Sequence, residues 1–477
     1  MDTPPDPPRS REKSSRALGC VVAACILFVV LVFAAVWSVS SYVGGVNARI
    51  ADLEAGIRER GQPLTLDELN AYYPAVPDDE NAALVYAEAF ALMDAIDPGR
   101  EQEAALWDRL VGLDPGAEVP PDLRADMEAY LDARAEVLAI LDRAAEFPQA
   151  HYSVDFDQGM EMDLPHLAKL RSCARLEVIR GTVAAVDGGF DEYTACHRRV
   201  LSMANSLSRE PAVISQLVRA VLHSIAAEAL IRDLNRAPMP RDTLDELARL
   251  YTDCEIPDCL SRSVAGEWCL WVSALRALSA DANVDRTADV QFMDAAMKKS
   301  GAAGVFQHLT KLRYLEVLKL LEPLTVADDV PWPERLRVAS EIESAAEEAA
   351  FVNITAQFFL PSVRGAVIAL AREAAVLRMT QTVLAVERYR TARGALPDTL
   401  QDLVPQFLPE VPEDPFDGKP LRYKHTESGY LVYSVYANEI DDGGVHWQRK
   451  MAEGSDGKRP SNRGTQDNGD WVFEVRR

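Results

Sequence analysis

One stretch near the N-terminus constrains the fold of this chain more than any other feature: Ala17 to Ala48 contain no charge, and Val21 to Trp37 are almost wholly apolar. A hydrocarbon core about 30 Å thick takes roughly 20 helical residues, and the segment from Leu18 to Tyr42 is long enough to cross it. Four basic residues precede the segment: Arg9, Arg11, Lys13 and Arg16. Because basic flanks stay on the cytoplasmic side, we expect a single-pass transmembrane helix at residues 17–45 with everything after it outside the cytoplasm.

A cleaved signal peptide is the alternative, since Ser38-Val39-Ser40 has the small-x-small pattern of a cleavage site. Signal peptides carry apolar regions of only about 7 to 15 residues, so the longer run here favours a retained anchor. Residues 1–16 are rich in proline, serine and charge, which predicts a disordered cytoplasmic tail. The sequence therefore predicts that the protein is anchored in the cytoplasmic membrane, with its bulk in the extracytoplasmic or periplasmic space.

Charge and length limit what the exported part can be. The chain has 477 residues, more than one core normally organises, and its net charge is -24. Such an acidic surface repels phosphate backbones, and we find no dense basic cluster beyond residue 16. The composition therefore argues against a nucleic-acid partner and leaves envelope proteins as the expected partners.

The middle of the chain predicts helices, because its apolar residues recur at spacings of three and four. We expect a membrane-proximal helical segment at 46–122, an α-helical domain at 123–363, and a long helix with a small α+β lobe at 364–477. One α-hairpin is clear, with helices at Leu167–Val186 and Asp191–Leu207 around a glycine turn. It is similar to a tetratricopeptide unit, although no second copy follows at the period of that repeat. Further helices are predicted at Ile214–Leu234, Arg241–Thr252, Ser261–Leu278, Val305–Leu321, Trp332–Phe351 and Ser362–Ala392.

Helix-start chemistry accounts for two polar stretches in the membrane-proximal segment. Thr65 has the position of an N-cap, and the acidic run Asp78–Asn81 loads negative charge at the start of the next helix. A cation site or a partner patch is the alternative interpretation of that acidic run.

The stretch HYSVDFDQGMEMDLPH concentrates residue types that carry chemistry. Carboxylates and imidazoles are metal-ligand and acid/base groups, but Gly159 and Pro165 prevent one helix from making them converge. Either a metal or acid/base site or a polar loop leading into the helix at Leu167 fits the pattern. The residues concerned are His151, Asp155, Asp157, Glu161, Asp163 and His166.

No other catalytic signature is present in the sequence: it contains no nucleophile elbow, phosphate-binding loop, HExxH motif or dinucleotide fingerprint. Cys254 and Cys259 bracket a short loop and are compatible with a disulfide in an oxidising compartment, or with buried thiols.

The C-terminal segment changes from helical to strand patterns. Short alternating apolar runs at Leu421–Lys424, Tyr430–Tyr436 and Val472–Val475 are separated by turn residues, which predicts a short antiparallel sheet. The residues before these runs contain a G-x-x-P-x-x-L-x-x-L turn motif, which is followed by a D-P-F motif. The positions concerned are Gly394, Pro397, Leu400, Leu403, Asp414, Pro415, Phe416, Gly418, Pro420, Tyr423, Tyr433, Ser434, Asp470 and Trp471.

These motifs resemble the C-terminal lobe of the major pseudopilins of type II secretion. The whole chain is also similar to uncharacterised membrane-anchored proteins of planctomycete-type bacteria. In the pseudopilin family, acidic and carbonyl oxygens of the last loop bind Ca²⁺, and the resemblance implies a calcium loop here, with a solvated acidic turn as the alternative. The implied ligands are Asn438, Asp441, Asp442, Asp467 and Asp470.

The sequence favours a membrane-anchored binding or scaffolding protein over an enzyme. A filament subunit is not expected, because a helical domain separates the anchor from the lobe and no prepilin peptidase site precedes the anchor. Two alternatives remain open. One is an accessory component of type II secretion or pilus-like machinery, and the other is an envelope hydrolase with dispersed residues around Asp155 and His166.

Overall fold

The structure, a computed structural model, describes residues 42, 44–252, 254, 259–279, 311–312, 314–320, 322–349, 354–446 and 469–476. Within these residues the chain is mainly helical and ends in a small antiparallel sheet, as the sequence predicts. The tail at 1–16 and the predicted transmembrane helix lie outside the described residues, except for residues 42, 44 and 45, which are helical.

The described helices follow the predicted order. They are α1 (44–59), α2 (Leu66–Tyr72), α3 (Ala82–Ile96), α4 (Glu101–Val111), α5 (Pro121–Asp132), α6 (Ala135–Ala144), α7 (Pro165–Val186), α8 (Phe190–Ser206), α9 (Val213–Arg236), α10 (Arg241–Thr252), α11 (Cys259–Ser279), α12 (314–320), α13 (Trp332–Ala349) and α14 (Ile354–Arg393). The predicted helix at Val305–Leu321 is described only at residues 311–312 and 314–320.

The chain divides into two units, residues 1–56 with 275–319 and residues 57–274 with 320–477. In the first unit, the described side chains tie α1 to the segment around α12. Tyr314 donates a hydrogen bond to Glu54 at 2.6 Å, and Lys311 donates to Asn47 at 3.2 Å. The second unit contains the helical body and the C-terminal lobe.

Local capping signals place the first helices of the body as predicted. Thr65 Oγ1 accepts a hydrogen bond from the backbone N–H of Glu68 at 3.1 Å, which caps α2. Asn81 Oδ1 accepts from the N–H of Ala83 at 3.0 Å and caps α3 directly after the acidic run. Each cap satisfies an otherwise unpaired backbone donor. Asp78, Asp79 and Glu80 form a 3-10 turn before Asn81, so the predicted negative charge lies ahead of α3 and not in its first turn.

The predicted α-hairpin is confirmed as α7 and α8, which pack against each other and against α9. Gly188 adopts a φ of 74° in the turn, a conformation that glycine allows without steric cost. Gly181 permits a close approach of the two helices, since a Cβ there would lie 3.2 Å from Cys196 Cβ. These three helices form the centre of the body.

Helix α9 is the one described helix that is long and apolar enough to cross a membrane, by length and composition alone. Its most apolar window is 72% buried inside the protein, so it is a weak indication of a span. Buried polar side chains support its interpretation as a core helix. Glu373 of α14 accepts hydrogen bonds from Arg219 at 2.8 Å and is bonded to His223 Nδ1 at 2.6 Å.

Helix α14 begins earlier than the sequence predicts, at Ile354 instead of Ser362. It continues through Pro361, and it also crosses the predicted domain boundary at residue 363 without a break. A proline inside a helix costs about 3 kcal/mol. Burial of the turns that follow, from Val363 to Val386, offsets this cost, because most of their apolar side chains are fully buried.

The C-terminal sheet has the order β1-β2-β3, with β1 at Arg422–Thr426, β2 at Gly429–Ser434 and β3 at Trp471–Arg476. Both pairings are antiparallel. Helix α14 packs against α9, α10 and α13 in the body and against β2 and the 3-10 turn Leu400–Leu403 in the lobe. The body and the lobe therefore share one hydrophobic core.

The structure favours the buried-thiol interpretation for Cys254. Its Sγ atom is buried and donates a hydrogen bond to Leu250 O at 3.2 Å. Cys259 begins α11, and the position of its side chain lies outside the described atoms.

Gly266 in α11 provides a test of the packing. A Cβ at this position would lie 1.5 Å from Pro211 O, so we expect Gly266→Ala to lower the free energy of unfolding by about 3 kcal/mol. Gly365 in α14 is the matched control, because a Cβ there meets no atom of the described residues within 4 Å. Gly365→Ala should stabilise the protein by about 0.5 to 1 kcal/mol. Chemical denaturation followed by circular dichroism measures both values, and equal effects would contradict the packing described.

Candidate functional site

The histidine and acid stretch from His151 to His166 does not assemble into one site. Its carboxylates, Asp155, Asp157, Glu161 and Asp163, are all exposed. Asp155 caps the local 3-10 helix by accepting a hydrogen bond from the N–H of Asp157 at 3.1 Å, and Asp157 itself accepts from Asn70 at 3.0 Å. These side chains organise a polar loop, which is the second of the two interpretations that the sequence allows.

The two histidines of the stretch point to different partners. His151 Nδ1 lies 3.1 Å from Pro74 O, and its ring stacks on Tyr73. His166 is buried, stacks on Tyr152 and lies 3.1 Å from the carboxylate of Glu210. Asp155 is exposed and His166 is buried beside another acid, so the described hydrogen bonds do not join these two side chains.

Glu210 is a buried acid that the sequence analysis did not single out. It lies in the turn between α8 and α9, where its carboxylate is bonded to His166 and accepts a hydrogen bond from Ser215. Burial raises the pKa of the nearby Tyr73 hydroxyl, and the charge of Glu210 raises it further. No local pattern marks such a residue, because its partners come from other parts of the chain.

A cluster of five charged side chains joins α6, α7 and α8. Glu177 is fully buried and pairs with Arg199 at 3.1 Å and with Arg180 at 3.7 Å. The same two arginines also contact Asp142 and Glu192, which are partly exposed. Three acids thus share two bases. Burial, assisted by the charge of Asp142, raises the pKa of Glu177 to about 7, although both arginines oppose the shift.

Glu177 also lines a small enclosed cavity between α7, α8 and α9. The space available is about 10 Å³, enough for a single water molecule and too small for an organic substrate. The lining includes Tyr193, Cys196, His197 and Asp233. Burial lowers the pKa of His197 to about 4 and raises that of Cys196. These groups can hold a proton inside the core, but they do not form an accessible catalytic centre.

In the C-terminal lobe, the D-P-F motif has a clear structural role. The buried carboxylate of Asp414 accepts hydrogen bonds from the N–H groups of Phe416 at 3.1 Å and Val435 at 2.8 Å. It also accepts from Ser434 Oγ at 2.8 Å and from Arg422 at 3.1 Å. Asp414 therefore fastens the turn to the end of β2, with every bond made by a donor that a carboxylate favours.

Four of the five predicted calcium ligands lie in or beside one loop, whereas Asp467 lies outside the described residues. Asp470 accepts hydrogen bonds from the N–H groups of Asp442 at 3.2 Å and Gly444 at 2.7 Å. Asp441 accepts from Tyr433 Oη at 3.1 Å. Asn438 donates to Asp442 at 3.0 Å. Burial raises the pKa of Asp470, while its two backbone hydrogen bonds oppose the shift.

The described part of this loop does not form a ligand set for a cation. Ca²⁺ takes six to eight oxygens, but the carboxylates here accept backbone hydrogen bonds, and Arg422 Nε lies 3.8 Å from Asp441. Across all the described residues, no group of three or more His, Cys, Asp and Glu side chains is arranged to hold a metal ion. The calcium loop stays a prediction that depends on Asp467.

An open groove of about 310 Å³ lies on the lobe beside the start of β1. Apolar side chains of Leu400, Val411, Leu421 and Tyr423 contribute to its lining, and Asp398, Thr399 and Gln401 contribute polar groups. The hydroxyl of Tyr423 is buried and forms no hydrogen bond with the described part of the chain. A groove with an apolar floor and a few polar groups is suited to binding a side chain of a partner.

Glu177 predicts a specific pH dependence of stability. Its pKa is about 7 in the folded protein against 4.5 for an ordinary glutamate, so the folded state binds the extra proton between these values. Stability therefore falls as the pH rises from about 4.5 through about 7, by about 3 kcal/mol in total. Glu177→Gln should remove this loss, whereas Glu192→Gln, a partly exposed member of the cluster, should retain it. Urea denaturation at a series of pH values measures the free energy of unfolding of both variants. Identical pH profiles for the two variants would contradict the assignment of this pH dependence to Glu177.

Calorimetric titration of the full chain in detergent tests the calcium prediction. A functional calcium loop should give binding that is lost in the variant Asp441→Ala/Asp442→Ala/Asp470→Ala, because Ca²⁺ sites depend on carboxylate charge. A folded protein that gives no binding heat before or after the substitutions would remove the prediction.

Comparison with known proteins found no matching family model, and it found no significant similarity to a curated protein or to a solved structure.

Proposed function

We propose that this protein is a membrane-anchored envelope protein that binds or scaffolds partner proteins through its exported helical body and C-terminal lobe. The apolar segment at residues 17–45 anchors it in the cytoplasmic membrane with the N-terminus inside. The rest of the chain then stands outside the cytoplasm, where a rigid body can hold partners near the membrane.

The distribution of its chemical groups is the observation that supports this proposal. Glu177 and His197, whose pKa values burial shifts strongly, are enclosed in the core of the helical body. An enzyme needs such groups to converge at a cavity that a substrate can enter. The lobe instead presents an open groove whose lining is largely apolar, which suits recognition better than reaction.

Rigidity is the second argument. Helix α14 carries the core of the body into the lobe, so the groove is held on a support that does not hinge freely. A preorganised surface loses little entropy when it binds, and scaffolding proteins benefit from that property.

An accessory role in type II secretion or pilus-like machinery is a second candidate. The motif positions that carry the pseudopilin resemblance have structural roles in this lobe. Gly394 ends α14 with a φ of 76°, and Asp414 fastens the turn to Ser434. A lobe that shares these motif positions with pseudopilins favours a role in contact with filament subunits.

Photo-crosslinking in the native membrane tests the proposal. A benzoylphenylalanine probe replaces Gln401 at the groove, or Val186 or Ile214, which are exposed apolar residues of the body. We expect the chain in the membrane fraction and at least one position to form a discrete adduct with an envelope protein. Adducts with a pseudopilin would favour the secretion role. A chain found in the soluble fraction without adducts at any position would contradict the proposal.

A further inference from the structure

The two edge strands of the C-terminal sheet, β1 and β3, differ in how the rest of the protein covers their outward backbone groups. The edge of β3 is covered by Asn235 from the end of α9, which donates to Glu474 O at 2.8 Å and accepts from the N–H of Arg476 at 2.6 Å. An asparagine side chain thus takes the place of a neighbouring strand. Edge strands present unpaired backbone groups that attract other strands, so covering β3 removes that possibility on one side.

The pairing register shows which backbone groups of β1 face outward. The backbone groups of Glu474 and Arg476 point toward Asn235, so those of Val475 between them point toward β2. Because this alternation continues across β2, the backbone groups of Lys424 in β1 also point toward β2. The backbone groups of Tyr423 and His425 therefore point away from the sheet. No described residue forms a backbone hydrogen bond with them outside the strand pairing.

Among the described residues of the lobe, cover is present at the start of this outer edge. The N–H of Leu421 donates to Pro412 O at 2.9 Å, and Glu413 forms an isolated bridge with Pro420. Val411, directly before Pro412, lines the open groove together with Tyr423. A strand added along β1 would continue the pairing that Pro412 begins and would place a side chain next to the groove.

Charge on β1 argues against pairing with a second copy of this chain. Lys424 is exposed at the middle of the strand, and antiparallel self-pairing would bring two copies of it close together. Like charges opposite each other destabilise a sheet, and a lysine on an edge discourages self-association. A partner strand with an acidic residue opposite Lys424 gains an ion pair instead. Side chains next to that acid then face Tyr423 and His425 on the groove side, where apolar groups fit.

We propose that β1 binds an extended segment of a partner protein as a fourth strand, and that the segment alternates apolar and acidic residues. Main-chain hydrogen bonds to Tyr423 and His425 supply the affinity, as in other cases of strand addition. Lys424 and the groove select the side chains. This inference rests on the proposed binding function and specifies the chemistry of the partner.

Fluorescence anisotropy tests the inference with the full chain in detergent and short labelled peptides in which valine alternates with glutamate or with lysine. We expect the glutamate peptide to bind more tightly than the lysine peptide by about fivefold, given the size of cross-strand charge pairs. Lys424→Glu should reverse this preference. Lys419→Glu is the matched control, because Lys419 is an exposed lysine of the same lobe outside the strand, and it should leave the preference unchanged.

Two outcomes would overturn the inference. One is the absence of binding for both peptides, and the other is a preference that Lys424→Glu leaves unaltered. If the chain still forms adducts at Val186 or Ile214 in the native membrane, the binding function stands and only the strand-addition site is wrong. If these adducts are also absent, the failure lies with the proposed function itself.

Discussion

The second unit is organised around one buried helix, α14, which contacts both the helical body and the C-terminal lobe. Helix α14 is buried against α9 and α10 along the body and against β2 in the lobe. Two buried carboxylates fix its rotation. Glu373 is paired with Arg219 and His223 in the body, and Glu387 accepts a hydrogen bond from Tyr430 of β2 at 3.0 Å. A buried charge without a partner is costly, so both contacts must form in the same arrangement.

This constraint links the fold to the proposed function. Because the lobe is held by α14 and by Asn235 of α9, its groove and the outer edge of β1 have a fixed position on the body. The chemically sensitive groups follow the opposite pattern, since Glu177 and its neighbours are enclosed between helices. The raised pKa of Glu177 predicts that proton binding in this cluster changes the stability of the body, while the groove on the lobe is accessible for recognition.

Sequence patterns that span only a few residues predicted much of this architecture. Spacing of apolar residues predicted the helices, Thr65 marked the start of α2, and the glycine turn marked the hairpin of α7 and α8. Contacts between distant segments could not be predicted in this way. Glu210, Glu373 and Asn235 acquire their roles only when separate elements meet, and nothing next to them in the sequence identifies their partners. The early start of α14 was missed because Pro361 is normally a helix boundary.

The predicted calcium loop shows the same limit at a candidate site. Asn438, Asp441, Asp442 and Asp470 contact one another or the backbone of one loop, and the hydrogen bonds that their side chains make there could not be predicted from their order in the sequence. The stretch around Asp155 and His166 differs, because its residues are close in sequence yet face different surroundings. Residues that are close in sequence are expected to lie near one another in the fold, whereas the orientation of each side chain depends on the packing around it.

Native-state hydrogen exchange of the full chain tests most directly whether the body and the lobe form one cooperative structure. The amides of Val376–Val386 in α14 and those of β2 should exchange through one common opening, with the same free energy and the same dependence on denaturant. Exchange of the β2 amides at a clearly lower free energy, with a weaker dependence on denaturant, would show that the lobe opens independently and would contradict this account.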